Sequence, residues 1–493
     1  MRVSELLSKA ALPAQRQGDD VEITGVAIDS RQVRPGGCFI AVCGSAADGH
    51  GFIAQALAAG AALIVCEDPS RVPAGVPLAI MANTRQAVGP LAQAFYDWPA
   101  RKLTCVGVTG TNGKTTVTTL IHAILARAGH RAGLVGTIAY HAGSRDVKAA
   151  TTTPDPVTLA QLCAEMVADG QTHLVMEVSS HALDQDRTAG LSFAVGVFTN
   201  LTGDHLDYHR TMEAYKAAKL RLFGQLDKRA TAVINRDDGA SEDFLAAAAG
   251  AGTVLSYGLN STAELWARIG RIDAAGTRFA LTYGGNETEL ATSLIGRHNV
   301  YNCLAAAGAG LALGVSVGDV AGALGVTGNV RGRLERVDVP APYGVFVDYA
   351  HTDDALRNVL SALRPLLQGG RVIVVFGCGG DRDRTKRPRM AAIAQDLADR
   401  IIVTSDNPRS ERPEAIIEEI LAGLSERGRS RTDVLVDRRE AIERALALAA
   451  PGDIVLIAGK GHETEQVVGS QRLHFDDVEV AAEIMRRREG GRS

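Results

Sequence analysis

Residues 108–116 of this 493-residue chain read Val108-Thr109-Gly110-Thr111-Asn112-Gly113-Lys114-Thr115-Thr116. They follow an apolar run typical of a buried strand and precede apolar residues at helical spacing that stop at Gly129. A glycine-rich turn between a strand and a helix presents backbone N–H groups and a helix N-terminus to an anion. In such a turn Lys114 can reach the terminal phosphates of a nucleotide, and the Thr115 hydroxyl can bind Mg²⁺. The stretch therefore predicts an ATP site, although Val108 replaces the usual first glycine of this pattern.

Length and composition limit the class of protein. The length predicts about three domains, each with its own core. A net charge of −4 argues against nucleic acid or an anionic membrane surface as a partner. Seven cysteines without a C-x-x-C pair argue against a disulfide framework or a zinc site and are typical of a reducing compartment. With neither a signal-peptide pattern nor an apolar run of about 20 residues, we expect a cytoplasmic protein, and we expect a monomer.

Strand and helix patterns divide the chain into three units. Residues 1–100 are predicted to form a smaller N-terminal α/β domain. Between 101 and 336 the two patterns alternate, and the segments 174–178 and 194–198, interpreted as fully buried strands, predict the parallel sheet of a phosphate-loop ATPase domain. Residues 337–493 alternate in the same way and predict a Rossmann-like C-terminal domain. The predicted fold class is therefore α/β, with three domains.

Polar clusters follow several of the predicted strands. Glu177 ends one strand, and His205 lies among acidic residues after the next. In open α/β sheets ligands gather beyond the carboxyl ends of strands, so a Mg²⁺ role is one interpretation and an ordinary strand-end acid is the other. In the third unit, Asp406-Asn407-Pro408-Arg409 and Gly459-Lys460-Gly461-His462-Glu463 also follow strands. Lys219 lies in a helical run, where its type alone predicts an exposed lysine.

Taken together, these motifs resemble those of the Mur ligases, which build the peptide stem of peptidoglycan. The resemblance spans almost the whole chain and is carried by two sets of residues. The first set is common to the family: 108–116, 199–207, His298-Asn299, Arg331-Gly332-Arg333 and Asp348-Tyr349-Ala350-His351. The second resembles the member that adds the third residue of the stem: Asp29-Ser30-Arg31, Thr152-Thr153, 177–181, 406–409 and 459–463.

The resemblance implies an ATP-dependent amide ligase that works through an acyl phosphate. ATP transfers its γ-phosphate to the D-Glu side chain of UDP-MurNAc-L-Ala-D-Glu, and an amine then displaces the phosphate. Catalysis is implied for Lys114, Lys219, His205 and Glu177, with Lys219 as a carbamate and thus a partly desolvated amine. Mg²⁺ would be held by Thr115, Glu177, His205 and Lys219. Nucleotide contacts are implied for Gly110, Thr111, Asn112, Gly113, Lys114, Thr115, Thr116, Asn302, Arg333 and Asp348.

The resemblance also implies where the other two small-molecule substrates bind. The UDP-linked dipeptide would contact Ile28, Ser30, Ser45, Ala46, Ala47, Thr152, Thr153, Ser179, Gln185 and Arg187. The incoming amino acid would contact Arg382, Asp406, Asn407, Pro408, Arg409, Gly459 and Glu463. Residues 406–409 resemble the corresponding motif of enzymes that add meso-2,6-diaminopimelate. This amino acid has a distal carboxylate, and Arg409 can pair with it bidentately.

Three alternatives remain at this stage. Two have the same fold: the L-lysine-adding version of the enzyme and a ligase of the folylpolyglutamate synthase type. The Asp29-Ser30-Arg31 segment and Arg409 count against both. The third is a non-catalytic module that uses ATP as a conformational switch, which the full set of candidate Mg²⁺ ligands argues against.

Overall fold

A computed structural model describes residues 1–44, 47–367 and 369–490. Three sheets, each covered by helices, follow one another along the chain, with a small hairpin near the end. The predicted α/β class is correct. Within the described residues, no helix is both long and apolar enough to cross a bilayer.

The first sheet has five strands in the order β1-β5-β4-β3-β2 and is parallel except where β1 pairs with β5. Its apolar faces pack against three helices. The strands are β1 (Gln15–Gln17), β2 (Val26–Ala27), β3 (Cys38–Ile40), β4 (Leu63–Cys66) and β5 (Leu78–Ile80), and the helices are α1 (Val3–Ala10), α2 (Ile53–Ala58) and α3 (Thr84–Phe95).

The second sheet has eleven strands in the order β16-β15-β14-β13-β12-β11-β6-β10-β7-β8-β9. Its strands are β6 (Thr104–Thr109), β7 (Ala132–Val135), β8 (Ala139–Ala142), β9 (Arg145–Lys148), β10 (His173–Glu177), β11 (Phe193–Phe198), β12 (Thr231–Asn235), β13 (Thr253–Gly258), β14 (Leu265–Asp273), β15 (Gly276–Tyr283) and β16 (Asn286–Thr292). Its helices are α4 (Lys114–Arg127), α5 (Pro156–Ala168), α6 (Ser180–Asp184), α7 (Leu206–His209), α8 (Met212–Gly224), α9 (Ser241–Ala247), α10 (Arg297–Ala312) and α11 (Val317–Val326).

The centre of this sheet, from β13 across to β7, is parallel as predicted. The prediction that strands and helices alternate throughout is wrong at both edges. At one edge β14, β15 and β16 form an antiparallel meander without intervening helices, and β7, β8 and β9 do so at the other. Edge strands have a solvated face and so lack the continuous apolar run that identified the central strands.

The third sheet has six strands in the order β17-β18-β22-β19-β20-β21, parallel except at β17. Its strands are β17 (Glu335–Arg336), β18 (Gly344–Asp348), β19 (Val372–Phe376), β20 (Arg400–Val403), β21 (Thr432–Val434) and β22 (Ile454–Ala458), followed by the hairpin β23 (Glu465–Val468) and β24 (Gln471–His474). Its helices are α12 (Asp353–Leu363), α13 (Lys386–Leu397), α14 (Pro413–Leu421), α15 (Glu426–Arg429), α16 (Arg438–Leu448) and α17 (Asp477–Gly490).

Short 3₁₀ helices complete the connections, at Ser30–Gln32, Gly49–Phe52, Pro69–Arg71, Pro99–Lys102, Ala248–Gly250 and Arg364–Leu366. The carboxyl ends of the parallel strands in the second and third sheets face each other across two connected clefts. Residues after β6, β10 and β11 line the first cleft together with residues after β18. This is the edge where ligands are expected in open parallel sheets.

Candidate active site

The phosphate loop between β6 and α4 depends on two glycines. Gly110 and Gly113 have φ angles of +148° and +88°, which disfavour other residues. A Cβ on Gly110 would lie 1.9 Å from the Thr199 hydroxyl oxygen, so the loop also packs too closely for a side chain. The loop backbone therefore remains open to an anion at the start of α4.

Lys114 bends back over this loop. Its ammonium donates hydrogen bonds to the carbonyl oxygens of Gly110, at 2.9 Å, and Thr111, at 2.8 Å. Burial lowers its pKa, an effect opposed by the charge of Glu177. The loop carbonyls thus hold the ammonium beside the position predicted for the terminal phosphates.

A cleft of about 730 Å³ opens in front of the phosphate loop. It lies between the second and third sheets and collects most of the residues predicted to bind nucleotide and metal. Predicted residues that line it are Thr111, Asn112, Gly113, Lys114, Thr115, Thr116, Thr152, Glu177, Ser179, His205, Lys219, Asn302, Arg333 and Asp348.

Glu177, the last residue of β10, is a buried carboxylate with only 1% of its surface exposed. One oxygen accepts the Thr137 backbone N–H at 2.8 Å, and the other accepts the Thr137 hydroxyl at 3.0 Å. Among the described residues no cationic group lies within 4.0 Å of it. A buried carboxylate without a counter-ion is costly, so this position fits a bound cation.

His205 lies at the start of α7 with a left-handed φ of +54°, and it faces the same cleft. Burial lowers its pKa, as do the charges of Lys114 and Lys219, while Asp204 opposes the shift. The imidazole is therefore neutral near pH 7, as a metal ligand must be. The Thr115 hydroxyl, the third predicted ligand, accepts a hydrogen bond from Arg333 at 2.9 Å.

Lys219 is 1% exposed, so the assignment as a surface lysine from residue type alone is wrong. Helix α8 packs beside the phosphate loop, and the Lys219 ammonium donates to the Gly110 carbonyl at 2.7 Å. It also lies 4.4 Å from the centre of the Tyr215 ring. Burial, and next the charge of Lys114, hold its pKa well below the usual value for lysine. The partial desolvation implied by the resemblance is therefore present.

Three further residues predicted to contact the nucleotide line the first cleft, and one of them, Arg333, bonds to the start of α4. Arg333 reaches Thr115 and lies over the Tyr349 ring at 4.9 Å. Asp348 ends β18 and accepts the backbone N–H groups of Leu334, at 2.6 Å, and Ala350, at 2.7 Å. Burial raises the pKa of Asp348 to about 6, an effect opposed by Arg333. Asn302, on α10, lies so close to the loop that a Cβ on Gly113 would be 2.4 Å from its side-chain oxygen.

A second cleft, of about 470 Å³, continues from the first toward the third sheet. The two clefts share residues of both sheets, among them Asp204, His205 and His351. Six of the seven residues predicted for the amino acid line it: Arg382, Asp406, Asn407, Arg409, Gly459 and Glu463. Pro408 does not line it, and its carbonyl instead packs against Gly380, where a Cβ would lie 1.9 Å away.

The second cleft contains two pairs of like charges. Burial, and next the charge of Arg382, lower the pKa of Arg409. Burial, and next the charge of Asp406, raise the pKa of Glu463. Asp406 is buried, and its Oδ1 accepts no hydrogen bond from any described residue. The cleft therefore offers two guanidinium groups to an anion and two carboxylates to a cation.

A polar framework holds these groups in place. Arg409 has a φ of +52° and donates to the Gly380 carbonyl at 2.7 Å. The Asn407 side chain donates to Glu463 at 2.7 Å. The buried Lys460 donates to Glu463 at 3.2 Å, which leaves the carboxylate only partly compensated.

The residues predicted for the UDP-linked dipeptide are not gathered into one cleft. Arg187 donates to the carbonyl of Thr153 at 2.8 Å and to the side chain of Gln185. These three adjoin Thr152 and Ser179, which line the first cleft. Ile28, Ser30 and Ala47 instead belong to the unit of the first sheet, where Ser30 donates to Gln55 at 2.9 Å. Ser45 and Ala46 lie outside the described residues.

Sequence reasoning missed four residues that shape the site: Thr137, Asp354, Lys386 and Lys460. Thr137 holds Glu177, and Asp354 accepts a hydrogen bond from Asn112 of the phosphate loop at 2.8 Å. Both hydrogen bonds connect distant parts of the chain, and no local sequence pattern predicts them. Lys460 lies inside the motif 459–463, so its place in that motif could have identified it as a residue of the site.

Comparison with known proteins places this site in a family. Three family models match the chain: the Mur ligase middle domain over residues 108–310, the Mur ligase glutamate ligase domain over 332–461, and the Mur ligase family catalytic domain over 22–96. Together they include the phosphate loop, Lys219 and the residues of the charged second cleft other than Glu463.

Curated relatives match over nearly their whole length. A protein of Bacillus cereus is 44% identical over 473 residues, 95% of each chain, and one of Gloeobacter violaceus is 46% identical over 490 residues, 99% of each. Both are named UDP-N-acetylmuramoyl-L-alanyl-D-glutamate--2,6-diaminopimelate ligase.

Solved structures agree in fold. A structure with the same ligase name is 32% identical, with a TM-score of 0.69 over 99% of this chain and 100% of the other. MurF from Thermotoga maritima in complex with ADP, at 19% identity, has a TM-score of 0.63 over 96% and 100% of the two chains and shares the fold. Three family models match the chain in sequence order, and the relatives match over nearly their full length. The chain, with its phosphate loop and its buried Lys219, therefore belongs to the Mur ligase family.

Proposed function

We propose that this chain is the ATP-dependent ligase that joins meso-2,6-diaminopimelate to UDP-MurNAc-L-Ala-D-Glu in the synthesis of peptidoglycan precursors. The names of the full-length relatives support this function. The observation that carries it is the pairing of like charges in the second cleft, Arg382 with Arg409 and Asp406 with Glu463. The distal end of diaminopimelate carries a carboxylate and an ammonium, one for each pair.

The reaction has two steps. The D-Glu side-chain carboxylate attacks the γ-phosphorus of ATP, and the bond to the ADP oxygen breaks to give an acyl phosphate. The amine nitrogen of the incoming amino acid then attacks the acyl carbon, the carbon–oxygen bond to phosphate breaks, and the nitrogen loses a proton as the amide forms. In both steps the protein positions anions and neutralises the charge that develops on them.

Residues of the first cleft suit these tasks. The backbone of 110–116 and the ammonium of Lys114 would bind the phosphates of ATP. Asn302, Arg333 and Asp348 would contact the nucleotide or close the second and third sheets over it. Because Arg333 already reaches the phosphate loop, no large movement is needed for that contact.

Mg²⁺ would be held by Thr115, Glu177 and His205, and when bound it neutralises phosphate charge. The buried carboxylate of Glu177, which has no cationic group within 4.0 Å among the described residues, supports this assignment. The depressed pKa of Lys219 favours the neutral amine, which is the form that reacts with CO₂. As a carbamate, Lys219 would supply an anionic oxygen ligand to a second ion at the same edge of the cleft.

The dipeptide substrate is expected to reach from the unit of the first sheet to the edge of the first cleft. We propose that Ser30 and its neighbours bind its UDP end, and that Thr152, Ser179 and Arg187 bind the peptide end. We propose domain boundaries at 1–100, 101–336 and 337–493, with β17 at the second boundary already pairing in the third sheet. We propose that the enzyme is a cytoplasmic monomer, since ATP and precursors linked to UDP are supplied there.

An assay of phosphate release tests this function. We expect release to require ATP, the UDP-linked dipeptide and meso-diaminopimelate together, and the product to be the UDP-linked tripeptide by mass. Omission of each substrate in turn is the control. Release from ATP alone, unchanged by the other two substrates, would favour a plain ATPase and contradict the proposal.

A further inference from the structure

Lys386 is a buried cation of the second cleft that contacts no counter-ion among the described residues. It begins α13, lines the second cleft and is 8% exposed. Within the described residues, no carboxylate oxygen lies within 4.0 Å of its ammonium, and it donates no side-chain hydrogen bond. Its neighbours on the helix differ: Arg387 pairs with Glu411 and Glu419, and Arg389 pairs with Asp353.

An unpaired buried ammonium is expensive. Its desolvation costs several kcal/mol unless an anion or several hydrogen bonds compensate it. Lysines are for this reason almost always exposed or paired. The described residues provide no anionic partner in contact with Lys386, and its side chain lines a cleft. We therefore expect its counter-ion to be a bound ligand.

The surroundings of Lys386 separate two possible anions, the carboxylate of the amino acid and the reacting acyl phosphate. Its charge acts on His351 and Asp204, which line both clefts: burial and next Lys386 hold the pKa of His351 at about 4. The charges that act on Arg409, by contrast, are those of Arg382, Asp406, Glu463 and Asp381. Lys386 shares the second cleft with Asp204, His205 and His351, which also line the first cleft, so an anion that extends from the phosphate loop into the second cleft would meet its ammonium.

We propose that Lys386 is a further catalytic residue whose ammonium contacts the oxygen atoms of the acyl phosphate. This inference rests on the function proposed above. As the amine nitrogen attacks the acyl carbon, negative charge grows on the carbonyl oxygen and then on the departing phosphate. A buried cation beside that charge stabilises it more than it stabilises the separate substrates, and so accelerates the step.

The test compares Lys386→Met and Lys386→Arg with the wild type, and uses Lys228→Met as a control because Lys228 is exposed. We expect Lys386→Met to lower kcat by about a hundredfold to a thousandfold, with KM for ATP and for diaminopimelate within about threefold of the wild type. We expect Lys386→Arg to recover at least about tenfold of that loss, because it restores the positive charge. The thermal unfolding temperature of Lys386→Met is expected to equal or exceed that of the wild type, because an unpaired buried charge is removed.

Three results would overturn this role. A kcat within about threefold of the wild type would show that the ammonium does not act in the reaction. An effect confined to KM for diaminopimelate would place Lys386 at the carboxylate of the amino acid. A lower unfolding temperature with no recovery in the arginine variant would mean a structural role. Failure of the proposed function would instead appear in the wild type, as phosphate release that does not depend on the dipeptide.

Discussion

The phosphate loop and the second cleft are built in opposite ways. In the loop the charged groups already have partners, since Lys114 and Lys219 both donate to the Gly110 carbonyl. In the second cleft like charges face one another, Arg382 with Arg409 and Asp406 with Glu463, although both guanidinium groups also donate to backbone carbonyls. The loop is formed by adjacent residues between one strand and one helix, whereas the second cleft collects residues from 382 to 463.

This difference matches two different tasks. In our proposal the phosphate loop binds ATP, which many enzymes use, whereas the second cleft selects one particular amino acid. Partnered groups hold the loop in shape whether or not ATP is bound, so the loop can serve any ligase that uses ATP. Like charges placed side by side favour a ligand that brings the complementary charges and disfavour one that lacks them. We therefore assign the choice of amino acid to the second cleft.

The largest effect is expected at the loop, from Lys219→Ala. Loss of the buried amine removes the proposed carbamate ligand, and we expect kcat for phosphate release to fall by about a thousandfold. Lys216→Ala is the matched control, since Lys216 lies on the same helix and pairs at the surface with Asp243. A Lys219→Ala enzyme with activity within tenfold of the wild type would contradict the assignment.

Lys219 also marks the limit of reading the sequence alone. The phosphate loop was predictable because strand, turn and helix are contiguous. The burial of Lys219 depends on α8 packing beside Gly110, 109 residues away, and residue type alone predicted the opposite. The combination of motifs that resembles the Mur ligases corrected that prediction, because it carries information about contacts that no single segment contains.

A second effect concerns Asp348, which ends β18 and lines the first cleft. Its folded pKa of about 6 lies above the ordinary 3.8, so its contribution to stability is present below about pH 3.8 and is lost as the pH rises through 6. Between pH 4 and pH 7.5 the free energy of unfolding of the wild type is expected to fall by up to about 3 kcal/mol relative to Asp348→Asn. Urea unfolding of both proteins measures this, and parallel pH profiles would refute the raised pKa.

The third effect tests selection in the second cleft. Arg409→Ala is expected to reduce the preference for meso-diaminopimelate over L-lysine by roughly tenfold to hundredfold, because the carboxylate loses a charged hydrogen-bond partner. The ratio of kcat/KM for the two amino acids measures it. The exposed Arg412, changed to alanine, is the control. If Arg409→Ala keeps the full preference, the cleft does not select through this residue.

The smallest effect is expected from a surface contact between β9 of the second sheet and the hairpin strand β23. Lys148 and Glu465 form an exposed ion pair at 2.6 Å. Such pairs contribute less than about 1 kcal/mol and are screened by salt, so Lys148→Ala should change KM for each substrate by less than about threefold. A tenfold change that vanishes at high salt would show that this pair controls closure of the clefts.

The second cleft was partly predictable. The motifs 406–409 and 459–463 identified its carboxylates and Arg409, because each follows a strand of one parallel sheet. Lys386 was not identified, since its importance lies in the absence of a partner, and a sequence does not display partners. Thr137 and Asp354 escaped for a similar reason, as each acts on a residue at least 40 positions away.

The most direct measurement of the central claim is a competition between amino acids. The enzyme is given ATP, UDP-MurNAc-L-Ala-D-Glu and equal concentrations of meso-diaminopimelate and L-lysine, and the products are separated by mass. Our account predicts that the diaminopimelate product exceeds the lysine product by at least about tenfold. Equal amounts of the two, or an excess of the lysine product, would contradict the assignment of the second cleft.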